Sequence, residues 1–106
     1  VKTLATLSFC VFATWFAAEH TYPPKDGYIP NSVTAIKVAE AVLTPVYGEQ
    51  QVVSERPFNA TLVNGVWKVT GTLYCPGAAG SECDGGVAEM DITKADARIV
   101  SMSHGK

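Results

Sequence analysis

Apolar positions recur first with the period of a helix and then with the period of a strand. Val33, Ile36, Ala39 (or Glu40), Leu43 and Tyr47 follow helical spacing, with Val46 beside them. Lys37 and Glu40 fall largely off that stripe. Pro30 announces the helix, and Asn31 or Ser32 can cap its first exposed amides. Pro45 has no N–H, and its ring meets the carbonyl of Ala41, so the last turn is expected to kink or end there. Gly48 is placed to take a left-handed cap.

From residue 58 the period changes to two. Phe58, Ala60 and Leu62 alternate onto one face of a strand over 58–63. Asn64-Gly65 predicts a type I′ hairpin turn, because both central residues tolerate positive φ. The return strand, 66–73, carries Trp67, Val69, Gly71 and Leu73 on one face, with Gly71 marking a bend. Between helix and hairpin, 49–57 reads as a connection with a short strand or turn. After a glycine-rich loop from Tyr74 to Gly86, Val87–Ile92 sends Ala88, Met90 and Ile92 inward, with Glu89 and Asp91 outward. Residues 93–97 turn the chain, and Arg98–Ser103 is the last strand. The sum is an α+β unit: one main helix packed on a curved, four-stranded antiparallel sheet.

The start of the chain has a different character. Lys2 is followed by an uncharged run, from Leu4 to Phe16, that ends in Ala17-Ala18. A basic lead, an apolar middle and small residues at the end read as a secretory signal peptide over 1–18. The run is short for a membrane span. An internal hydrophobic element is the alternative reading. A lipid anchor at Cys10 is disfavoured by bulky Phe9 directly before it. Residues 19–27, with Pro23-Pro24 and Asp26-Gly27, read as a linker, and 28–106 as the domain.

At 106 residues the chain holds one domain. Charged residues make up only 17%, and the eight basic ones are scattered singly around a net charge of −2. Nucleic-acid binding therefore lacks its basic patch. Removal of the leader would take Cys10 and leave Cys75 and Cys83, an even pair suited to an oxidising compartment. A disulfide closing that loop would add roughly 2–3 kcal/mol in the chain-entropy view. Two free thiols are the alternative. The spacing does not suit zinc, for which only His20 and His104 could assist.

Candidate chemistry is sparse. Glu89 and Asp91 share the solvated face of a strand, His104 lies in the tail, and Ser101 and Ser103 lack triad partners. No phosphate-binding loop and no His-Glu-x-x-His is present. The residues imply no cofactor and no metal, and binding leads over catalysis. Tyr28, Tyr47 and Trp67 would suit an interface, but core or rim packing is the favoured reading of each. A stapled loop loses little entropy on docking, which makes Tyr74, Glu82 and Asp84 the candidate contacts, with the two carboxylates facing a basic partner. A loop that is only surface decoration is the competing reading.

Several pieces also carry a family resemblance: Tyr28-Ile29-Pro30, Thr34-Ala35-Ile36, Ala39-Glu40-Ala41, Pro45-Val46-Tyr47-Gly48, Asn64-Gly65-Val66-Trp67 with Gly71-Thr72-Leu73, Gly85-Gly86 and His104-Gly105-Lys106. Their order and spacing resemble the NTF2-fold immunity proteins of bacterial polymorphic toxin systems, the YbbC/YhhH-like group. Family members more usually have glycine where Ala97 stands. The resemblance implies a reduced NTF2- or cystatin-like cone. It also implies a protein that binds and neutralises a cognate toxin, without chemistry of its own. With the signal peptide, the expected place of action is the periplasm, with no stable membrane anchoring after cleavage. A cystatin- or PepSY-like protease inhibitor and a small-ligand-binding module are the alternatives.

Overall fold

Helix α1 covers Ser32–Tyr47 and α2 covers Glu49–Ser54; strands β1 (Asn59–Val63), β2 (Val66–Thr70), β3 (Ala88–Thr93) and β4 (Ile99–His104) follow. The structure is a computed structural model and describes residues 23–75 and 85–105. The expected signal peptide, residues 19–22 of the linker, Cys83, Glu82 and Asp84 lie outside the described residues.

Asn31 is the residue that caps α1. Its backbone is extended and its Oδ1 accepts from the N–H and the hydroxyl of Thr34, both at 2.9 Å. The buried stripe is Ala35, Ala39 and Leu43: it keeps Ala39 and Leu43 of the expected one but takes Ala35 in place of Val33 and Ile36, and Val33 is 59% exposed. The two alanines explain the rotation. Small residues on the contact face let the helix axis approach the sheet, while Ile36, Val38, Val42 and Tyr47 pack on either side.

The helix passes through Pro45 and ends two residues later. Pro45 removes one ladder donor near the terminus, where the remaining turn is short. The N–H of Gly48 closes that turn on Thr44 O at 2.8 Å. Gly48 has φ 96° and ψ 146°, a positive-φ extended conformation and not the left-handed helical one expected. Its own carbonyl then accepts from Val52 N–H at 3.1 Å, so the same glycine opens α2. The connection expected to hold a strand or turn is therefore a second helix. Glu49-Gln50-Gln51 are good helix formers, and Val52 alone anchors α2 in the core.

The sheet is a meander in the order β1-β2-β3-β4, every pair antiparallel. Asn64 and Gly65 have φ of 50° and 77°, as the hairpin turn requires. One inner row runs Ala60, Val69, Met90, Met102; the next runs Leu62, Trp67, Ile92, Ile99. The middle members are buried and the outer ones open towards the sheet edges. Trp67 Nε1 donates to the Ile29 carbonyl at 2.8 Å, which ties the segment before α1 to the sheet. Opposite the helix, Lys68 and Asp91 form a cross-strand ion pair of 3.0 Å on neighbouring strands. A register shift beside Asp91 and Ile92 leaves Val100 as the extra residue of β4.

Two turns carry backbone demands. The N–H groups of Tyr28 and Ile29 donate to Ala95 O and Lys94 O, and Gly27 lies so close that a Cβ there would sit 2.4 Å from Lys94 O. Ala97, in the β3–β4 turn, has φ 59°, the conformation that glycine adopts most readily.

Candidate functional site

The strand that leads to Gly71 is shorter than its pattern predicts. β2 stops at Thr70, and Leu73 turns outward instead of inward. The cause is the residue that follows α2. Among the described residues Glu55 is the one charged side chain that is buried, at 3% exposure. It lies over Gly71, where a Cβ would stand 2.5 Å from Glu55 Oε1 and 3.0 Å from its Cβ. The strand therefore needs a position without a side chain at 71. The backbone beyond it bends away as Thr72 N–H donates to Glu55 O at 2.8 Å.

Glu55 is held from three directions. Oε1 accepts from the Ala88 N–H at 2.7 Å, at the start of β3. Oε2 accepts from Gln51 Nε2 at 2.7 Å and from His104 Nε2 at 2.8 Å, at the end of β4. The other ring nitrogen of His104 lies 2.6 Å from Gly105 O. A carboxylate and a carbonyl can only accept, so the imidazolium, with a proton on each ring nitrogen, is the form of His104 that satisfies both contacts. Tyr47 leans on it with ring centroids 5.1 Å apart.

The ionisation behaviour matches this geometry. Burial alone would raise the Glu55 pKa. The hydrogen bonds from Gln51, Ala88 and His104, together with the His104 charge, outweigh it and hold the carboxyl below its ordinary value. The hydrogen bond to Glu55, then that to Gly105 O, raises the His104 pKa against the opposing effect of burial. A Glu–His pair suggests acid–base catalysis, but each nitrogen of His104 and each oxygen of Glu55 already has a partner within the fold. The pair joins α2, β3 and β4 as an internal tie.

Glu55 also forms part of the wall of a cleft of about 240 Å³ between α2 and residues 72–74. Tyr74 stands at its rim, 61% exposed, with its hydroxyl donating to Arg56 O at 2.5 Å. Arg56 turns its guanidinium to Glu40, at 2.6 Å and 2.9 Å. Of the expected contact residues Tyr74 is thus at a cleft, Cys75 follows it, and Glu82, Asp84 and Cys83 lie outside the described residues. Tyr28 is half-exposed, while Trp67 is core. Glu55 escaped the sequence reading because a lone glutamate in a polar run, Glu55-Arg56-Pro57, has no periodicity to distinguish it. Its trace was the glycine at 71.

Among the described residues no group of His, Cys, Asp and Glu could hold a metal ion, and no helix is long and apolar enough to cross a membrane. A helix on a four-stranded antiparallel meander places the molecule in the α+β class. A family model described as NTF2 fold immunity protein matches residues 34–106. The chain belongs to the family of NTF2-fold immunity proteins. It is similar to "Uncharacterized protein YhhH" of Escherichia coli (strain K12), 32% identical over 78 residues, or 74% of this chain. The match spans 58% of the length of that relative. No solved structure matches.

Proposed function

We propose that this protein binds a cognate bacterial toxin in the periplasm and neutralises it by occlusion, without chemistry of its own. Family membership over 34–106 carries the reading, since immunity proteins act on toxins as their partners. The internally satisfied Glu55–His104 pair supports a non-catalytic role, because it offers no free acid or base. The Lys2-led apolar run supports export, and export favours a toxin that attacks the cell wall or membrane lipid over a cytosolic nuclease.

The contact surface includes the loop from Tyr74 to Gly86, closed by a Cys75–Cys83 disulfide, with Glu82 and Asp84 as polar anchors. Tyr74 at the cleft rim supports this placement. Reversing the charge of a buried anchor weakens binding by about 2–5 kcal/mol. Reversing a rim charge has a small, salt-sensitive effect.

The test is co-expression with the toxin encoded beside it, directed to the periplasm. Cells carrying the protein survive, and the purified pair co-elutes. Equal survival with an unrelated exported domain, or no co-elution, removes the immunity reading. Inhibition across a protease panel would then favour a cystatin-like inhibitor, whose fold is also a helix on a meander.

A further inference from the structure

The cleft between α2 and residues 72–74 has a hydrogen-bonding polarity that can be read atom by atom. Its volume of about 240 Å³ lies below the ~300–1,000 Å³ of sites that enclose whole small molecules, and suits a single inserted side chain. Three of its lining residues carry hydroxyls. Ser54 Oγ donates to Gln51 O at 2.7 Å, Thr72 Oγ1 to Pro57 O at 2.5 Å, and Tyr74 Oη to Arg56 O at 2.5 Å. Each partner is a backbone carbonyl, which can only accept, so the direction of all three bonds is fixed. A hydroxyl has one proton. All three protons are therefore committed inside the fold, and the oxygens keep only lone pairs for a guest.

Among the remaining described side chains acceptors also outnumber donors. Donating a proton polarises a hydroxyl and makes its oxygen a better acceptor. Glu55, in the wall, is an acceptor, and behind it both ring nitrogens of His104 lie against acceptors. Gln51 gives one of its two amide protons to Glu55 and keeps the other, beside its own carbonyl oxygen. No lysine or arginine is among the described lining residues, since the Arg56 guanidinium is turned to Glu40. Leu73, 43% exposed, supplies an apolar wall, and the phenol ring of Tyr74 supplies a π face.

A cleft whose described side chains offer more acceptors than donors favours a guest that donates and does not accept. Lysine and arginine are the charged side chains of that kind. Their aliphatic stems can lie along Leu73 while the cationic head meets the hydroxyl oxygens and the ring. A carboxylate guest would set its lone pairs against those of the three hydroxyl oxygens and the Glu55 carboxylate. The protein's net charge of −2 works in the same direction.

We propose that this cleft is the receptor for one lysine or arginine side chain of the toxin. The inference rests on the toxin-binding reading above and adds where, and by what chemistry, the toxin is gripped.

Two measurements test it. In the first, the labelled protein is titrated with n-butylguanidinium and, separately, with butyrate, and amide shifts are followed by NMR. Guanidinium is expected to move the amides of Ser54, Thr72, Leu73 and Tyr74, and butyrate to leave them in place. Equal response to both, or none to guanidinium, overturns the proposal. In the second, Ser54→Lys places a cation of the protein's own in the cleft. Ser54 is exposed on α2, so the variant should fold, and circular dichroism checks this. Its affinity for the toxin is expected to fall at least tenfold, while Ser54→Ala stays near wild type. Full toxin binding by a folded Ser54→Lys protein overturns the cleft assignment and leaves the immunity reading standing. If the wild type itself binds no toxin, the immunity reading fails, and the guanidinium titration decides the cleft alone.

Discussion

Replacing His104 with alanine removes one member of the Glu55 cluster and leaves the other two donors, Gln51 Nε2 and Ala88 N–H, in place. Breaking a buried ion pair from one side costs about 3–5 kcal/mol. The His104 side chain is 23% exposed, so water can reach the vacated position and the cost should fall to about 2–3 kcal/mol. In a domain of this size that lowers Tm by roughly 10–15 °C. The pH dependence is more specific. The pKa of Glu55 is lowered below 4.5, so its contribution is present above that value and is lost as pH falls through the folded pKa. The pKa of His104 is raised above 6.5, so its contribution is complete below that value and is lost as pH rises through the folded pKa. Wild-type stability should therefore be highest from about pH 4.5 to 6.5 and decline on both sides. Urea unfolding across pH measures this, and a double-mutant cycle with Glu55→Gln isolates the pair. His104→Ala should abolish the decline on the alkaline side. A coupling below about 0.5 kcal/mol, or an alkaline limb that survives in His104→Ala, would refute the account.

Gly71→Ala should destabilise by about 2–3 kcal/mol, because the new methyl meets Glu55 and the ring of Phe58; the loss should shrink in a Glu55→Ala background, and additive losses by urea denaturation would contradict the contact. Ala97→Gly should stabilise by about 0.5 kcal/mol, since relief of the positive φ slightly exceeds the entropy of the extra glycine and the lost methyl contact; a lower Tm would show that the methyl matters more. Cys75→Ser should lower Tm by removing roughly 2–3 kcal/mol while the helix and sheet persist by circular dichroism; an unchanged Tm in periplasmic material, or two alkylatable thiols in the wild type, would exclude the disulfide.

The sheet was legible because its signals are local. Asn64-Gly65 sets its own backbone, and the alternation of Ala88, Met90 and Ile92 survives intact as a buried row. The faces of α1 were less so. Val33 is more hydrophobic than Ala35, but the sheet comes close enough to need alanine, a requirement that belongs to the partner surface and not to the helix. The same holds for α2, a six-residue helix held by a single buried valine. The site was least visible. Glu55 acquires its meaning from Ala88 and His104, which lie 33 and 49 residues further along the chain. Only Gly71, read as a bend, hinted at a group that needed the space.

The strand order β1-β2-β3-β4 has a consequence for how the molecule assembles. Each strand pairs with the one made just before it, so no strand must wait for a distant partner and the search for register stays short. A chain that emerges from its N-terminus can zip its sheet in the order of emergence, helix first and hairpin next. The Glu55–His104 contact spans 49 residues and can close only when β4 arrives. It thus acts as a clasp that fastens last, holding the final strand to the first-formed part of the fold.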